Sequence, residues 1–140
     1  MSFDRSLLRR DLIKHEGFRS KPYKDSVGVT TIGVGWNLDA NGLPERMLWE
    51  LLELGIDNAT GTLDGIWAQW RNLDDVRQRV LVNMAFNLGP RIGNFKKFLF
   101  ALGQRDYKQA AKEMLDSTWA RQVGPRAIEL AKEMETGKDS

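Results

Sequence analysis

Apolar residues change their spacing three times along the chain, and each change marks a different kind of element. Leu8, Leu12 and Ile13 follow helical spacing, so a first helix is expected from about Asp4 or Ser6 to His15, with Gly17 as its stop. From Phe18 to Leu38 the helical period is lost. Pro22, three glycines and the β-branched residues Val27, Val29, Thr30, Thr31, Ile32 and Val34 predict a small antiparallel hairpin turning near Ser26-Val27-Gly28. A lone hairpin is marginal in water, so it is expected to pack on a helix. Asn41-Gly42-Leu43 reads as a loop. Pro44 and Glu45 suit the first turn of a helix whose apolar stripe runs through Met47, Leu48, Leu51, Leu52, Leu54 and Ile56, although Gly55 and Gly61 each cost about 1 kcal/mol against Ala.

Helical spacing dominates the remainder. Asp74 is expected to cap a helix with Val76, Val80, Leu81, Met84, Ala85 and Leu88 inward, closed by Gly89-Pro90. Asn94 is expected to cap Phe95 to Leu102, and Asp106 to cap Tyr107 to about Leu115. Gly124-Pro125 opens a last helix ending near Gly137. Trp67, Trp70, Phe95, Phe98 and Phe100 read as core, as does Phe86 near its helix end. The class is α+β, with a hairpin-containing N-terminal part, a connecting helix and a helical C-terminal part, and a ligand is expected between the lobes.

Composition removes whole classes of chemistry. The 140 residues contain no cysteine and one histidine, His15. Disulfides, thiolate zinc sites and Cys nucleophiles are excluded, and neither a metal nor another cofactor is expected. His15-Glu16 begins like a zincin motif, but Gly17-Phe18 follows and no second His exists. Gly33 and Gly35 lack the third glycine of a dinucleotide fingerprint, since Leu38 stands there. No apolar run nears the roughly 20 residues that span a bilayer, and no apolar signal segment follows Met1, so synthesis in the cytoplasm and no stable membrane insertion are expected.

Charge is uneven. Residues 1–43 carry +2, residues 44–75 carry −5 and residues 76–140 carry +5, for a net +2. The basic C-terminal half suits an anionic partner, whether nucleic acid, a membrane surface or a wall polymer. With no aromatic-basic motif, nucleic acid is the weakest of these.

What remains for catalysis is carboxylates. Glu16 falls at the C-terminal end of the first helix, where unpaired carbonyls favour an uncharged acid suited to proton donation. Asp25 lies nine residues on, before the hairpin turn, and Thr31 six residues further, in the second strand. The stretch from His15 to Asp39, with Glu16-Gly17, Asp25 and Thr31-Ile32-Gly33-Val34-Gly35, resembles the Glu-x8-Asp-x5-Thr signature of phage-type lysozymes, the endolysins of glycoside hydrolase family 24. The resemblance extends through Asp75-Val76-Arg77, Asn83 to Gly89, Trp119 to Gln122 and Pro125-Arg126-Ala127.

That resemblance implies a two-lobed lysozyme-like fold: a first lobe over about 1–43, one connecting helix over about 44–63 despite Gly55, and a helical lobe over about 64–140. It implies a muramidase cutting the β-1,4 bond between N-acetylmuramic acid and N-acetylglucosamine in peptidoglycan, acting as a monomer without nucleic acid. Glu16 would be the acid, Asp25 the partner carboxylate and Thr31 a water holder, while Gly35 and Phe86 match substrate-lining positions. A phage enzyme of this kind would be made in the host cytoplasm and reach the wall through a separate pore-forming protein. The chain departs from the family in a short segment between Gly35 and Pro44, in Trp36 where some members carry His, and in lacking a Trp after Gly137. A wall-binding protein without catalysis is the competing reading.

Overall fold

The computed structural model describes residues 2–140 and resolves into two compact units, one reaching to Leu51 and one from Leu52 to Ser140. In the first, α1 spans Arg5–Glu16; the Asp4 side chain accepts from the Leu7 N–H at 3.1 Å and so satisfies one of the orphan donors of the first turn. Strands β1 (Arg19–Lys24), β2 (Thr30–Gly33) and β3 (Trp36–Asn37) form an antiparallel sheet in the order β1-β2-β3. Pro22 is tolerated because β1 is an edge strand, and the register shifts between Arg19 and Tyr23.

Two features of this unit go beyond the sequence reading. The hairpin gains a third strand, since Val34-Gly35 makes a second tight turn and brings Trp36 opposite Ile32. A one-turn helix, α2 (Leu38–Asn41), precedes the Gly42-Leu43 loop and takes in Asn41, because the Asn37 side chain accepts from the Ala40 N–H at 2.9 Å. The sheet packs on α2, as the expectation that the hairpin packs on a helix requires.

The long helix α3 runs unbroken over Glu45–Ile66. Its neutrality to Gly55 has a steric reason within the second unit: a Cβ built there would fall on the Phe86 ring, 2.9 Å from Cζ. The second unit then continues through a 3-10 turn at Ala68–Asn72, α4 (Asp75–Leu88), a second 3-10 stretch at Gly89–Asn94, α5 (Lys96–Gly103), α6 (Tyr107–Leu115), α7 (Thr118–Val123) and α8 (Pro125–Thr136). Asp74 and Asp106 cap α4 and α6 as the sequence predicts, and Gly124-Pro125 opens α8. Asn94 does not cap α5; it ends the 3-10 stretch, and Phe95 holds the cap position without a side-chain bond. Helix α7, capped by Ser117, was not foreseen.

Every buried apolar side chain among the described residues lies between Ala59 and Met134, centred on Leu81, Met84, Phe98, Leu102, Met114 and Met134. Trp70 and Phe98 join this core, and Phe95 and Trp67 pack at its edge. Phe100 does not: it is 70% exposed, because Phe98 and Phe100 point about 160° apart on one helix and only one of them can face inward. Phe86 is likewise exposed at its outer side. Arg77 locks the end of α8: its Nε and Nη2 donate to the Met134 and Glu135 carbonyls at 2.7 and 2.9 Å, and its guanidinium lies 3.5 Å over the Tyr107 ring.

Candidate active site

Glu16 is the last residue of α1, and Gly17 ends the helix by donating its N–H to the Ile13 carbonyl at 2.9 Å. The Glu16 side chain is exposed and lies against the backbone of Gly35 in the β2–β3 turn. A Cβ at Gly35 would stand 2.8 Å from Glu16 Oε2 and 3.2 Å from Cδ, and φ there is +67°. The backbone conformation favours glycine, and a side chain there would push the Glu16 carboxyl group aside. Gly35 therefore lies directly against the Glu16 carboxyl group.

Asp25 opens the β1–β2 turn, and its carboxylate is oriented by the turn's own backbone. Its Oδ1 accepts from the Val27 and Val29 N–H groups at 2.9 and 2.8 Å. An aspartate capping its own turn is common chemistry; here it fixes one oxygen and leaves Oδ2 with no protein donor among the described residues. Thr31 is the one buried polar residue among those described, and its hydroxyl donates to the Val29 carbonyl at 2.9 Å. The hydroxyl proton is thus engaged while the oxygen can still accept.

Val29 ties the two together. Its N–H goes to the Asp25 carboxylate, and its carbonyl accepts from both the Asp25 N–H, at 2.9 Å, and the Thr31 hydroxyl. Sequence reasoning gave Val29 no role beyond strand filler, because it works through its peptide groups and its side chain carries no signal. Asp39 was also missed: its Oδ2 accepts from the Thr30 N–H at 2.8 Å and so pins β2 at the residue before Thr31. Trp36 donates its indole N–H to the Gly42 carbonyl at 2.7 Å, which ties β3 to the end of α2.

Glu16, Asp25, Thr31 and Gly35 thus all belong to the first unit, with Glu16 against Gly35 and Asp25 linked to Thr31 through Val29. Phe86 belongs to the second, where its ring covers Gly55. Neither Glu16 nor Asp25 enters an ion pair among the described residues. Chemically, the unit offers an exposed carboxyl group, a second carboxylate with one oxygen free of protein donors among the described residues, and a hydroxyl oxygen able to accept.

Comparison with known proteins gives this arrangement a context. The family model described as phage lysozyme matches residues 13–132. Two relatives from Dictyostelium discoideum are similar over most of their length: "Probable T4-type lysozyme 1", 27% identical across 91% of this chain and 94% of its own, and "Probable T4-type lysozyme 2", 28% identical over the same shares.

Proposed function

The chain belongs to the phage lysozyme family, a glycoside hydrolase family acting on peptidoglycan, and on that premise we propose that it is a muramidase using Glu16, Asp25 and Thr31. The bond cut is the β-1,4 link between N-acetylmuramic acid and N-acetylglucosamine. Glu16 protonates the leaving glycosidic oxygen; Asp25 draws a proton from the attacking water through its unengaged oxygen; Thr31 accepts a hydrogen bond from the same water. Gly35 gives Glu16 its place, and Phe86 contacts sugar. The biological setting is phage lysis: a monomer made in the host cytoplasm, released to the wall by a separate pore-forming protein.

The observation that carries this reading is the division of labour at Asp25. A carboxylate held by two backbone donors on one oxygen is pre-aimed, and its neighbour Thr31 offers a lone pair and no free proton. That suits orientation of a water, and hence direct displacement with inversion, better than it suits a nucleophile that must swing toward a sugar carbon. Glu16→Gln and Asp25→Asn should each lower wall-clearing activity by at least about a hundredfold with native circular dichroism. The first-formed reducing end from a β-linked oligosaccharide should be the α-anomer by proton NMR. An active Glu16→Gln protein defeats the assignment of the acid; an initial β-anomer makes Asp25 a nucleophile.

A further inference from the structure

The Val29 carbonyl is one end of a peptide group whose other end is the Thr30 N–H. That group is trans and planar, so its two ends point in opposite directions and move as one rigid plane. The carbonyl end accepts from the Asp25 N–H and from the Thr31 hydroxyl, each at 2.9 Å. The N–H end donates to Asp39 Oδ2 at 2.8 Å. Asp39 thus grips the far side of the amide that holds the two residues of the proposed water site.

A side chain is needed there because the sheet runs out. Strand β3 sets Asn37 opposite Thr31 and Trp36 opposite Ile32, and at Leu38 the chain leaves the sheet for α2. No residue of β3 stands opposite Thr30, so the Thr30 N–H has no ladder partner on that side. Asn37 caps α2, and the turn it starts carries Asp39 back to that N–H. Asp39 enters no ion pair among the described residues. Lys24 Nζ donates to Thr30 Oγ1 at 2.6 Å and so secures the side chain of Thr30, while Asp39 secures its amide.

We propose that Asp39 is a positioning residue for the hydrolysis, holding the Val29–Thr30 peptide plane at the angle that aims Asp25 and the Thr31 hydroxyl. The role rests on the reading that Asp25 and Thr31 direct the attacking water. An ionised acceptor binds an N–H more strongly than a neutral carbonyl does, and it polarises the amide so that the carbonyl end accepts better. Tilting the plane would turn the Val29 carbonyl from both of its donors at once. Misorientation of this kind lowers turnover and leaves substrate binding largely intact.

The test is steady-state kinetics of the whole protein on a soluble β-1,4-linked wall oligosaccharide, with circular dichroism for folding. Asp39→Ala should lower kcat by roughly 10–100-fold and leave KM within about twofold. Asp39→Asn keeps an oxygen on the Thr30 N–H and should recover most of that loss. Asp39→Ser ends one bond short of the N–H and should lose kcat like Asp39→Ala, which covers the case that Asp39→Ala fails to fold. Combined with Thr31→Val, the loss from Asp39→Ala should shrink, because part of what it misplaces is already gone. A role in stability alone would leave kcat of the folded variants unchanged. The proposal is overturned by a folded Asp39→Ala or Asp39→Ser protein with the parent's kcat, by Asp39→Asn losing as much as Asp39→Ala, by a change confined to KM, or by losses that multiply fully with Thr31→Val. Parental kcat in Asp39→Ala beside an inactive Glu16→Gln removes this role and keeps the proposed catalysis; an active Glu16→Gln removes both.

Discussion

Gly35 is where one residue's missing side chain decides the position of another's carboxyl group. A methyl there meets Glu16 Oε2 at 2.8 Å and sits on a backbone with φ +67°. Gly35→Ala should therefore combine about 1–2 kcal/mol of backbone strain with displacement of Glu16. Gly42 separates these effects: its φ is +56°, but a Cβ there meets nothing within 4 Å. We expect both alanine variants to lose similar stability in thermal melts, and only Gly35→Ala to lose activity, by tenfold or more in a wall-clearing assay. Equal activity of the two would show that Gly35 does not position the acid. At this scale the sequence spoke through side chains. Glu16, Asp25 and Thr31 stand out as chemistry-bearing types at a recognisable spacing, whereas Val29 acts through its peptide groups, and Phe100 looked like its buried neighbour until the helix placed it on the opposite side.

Two glycines in α3 give opposite expectations for one substitution. At Gly61 a Cβ meets nothing within 4 Å, so Gly61→Ala should stabilise by about 0.5–1 kcal/mol through helix propensity alone. At Gly55 the new methyl collides with the Phe86 ring, so the same change should destabilise by about 1–2 kcal/mol, overpacking outweighing propensity. Pairing it with Phe86→Ala should restore the gain from Gly55→Ala seen in that background. Denaturant unfolding of the four proteins checks the signs; a stabilised Gly55→Ala single variant would refute the steric account.

The cap of α4 adds a dependence on pH. Burial raises the Asp74 carboxyl, but the Arg77 side chain and N–H outweigh it and hold it below its ordinary value of 3.8. Its ionised form therefore contributes stability above about pH 4, and that contribution disappears as pH falls through the depressed value. Asn caps as well as Asp, so Asp74→Asn should lower the melting temperature at pH 7 and match the parent near pH 2. A deficit that persists unchanged in acid would mean that charge is not the cause. Helices of eight or more residues with capping side chains were legible in advance. Strand β3, helix α2 and helix α7 were not, because two to six residues hold too little of any period to show.

The molecule's apolar interior is confined to its second unit. From residues 2 to 58 the only buried side chain described is that of Thr31, while Ala59 to Met134 supply every buried apolar group. The charge division and the α+β order could be read from composition and spacing; this imbalance could not, since Leu8, Leu12, Ile13, Leu48 and Leu51 have the spacing of core residues and stay exposed. Local stability follows buried contact. Amide hydrogens of α1 and the sheet should exchange at least about a hundredfold faster than those of α4 and α6, as mass spectrometry of native-state exchange would record. Comparable protection in both units would disprove the link.

The same imbalance sets a schedule for the newborn chain. A ribosome delivers residues up to Leu51 first, yet the material that can hold a shape arrives afterwards, and the 89 residues from Leu52 to Ser140 need roughly 5–20 s to be made. Throughout that interval the segment bearing Glu16 and Asp25 has no interior of its own. The unit carrying Glu16 and Asp25, the residues of the proposed site, is thus made ahead of the residues that supply every buried apolar group among those described.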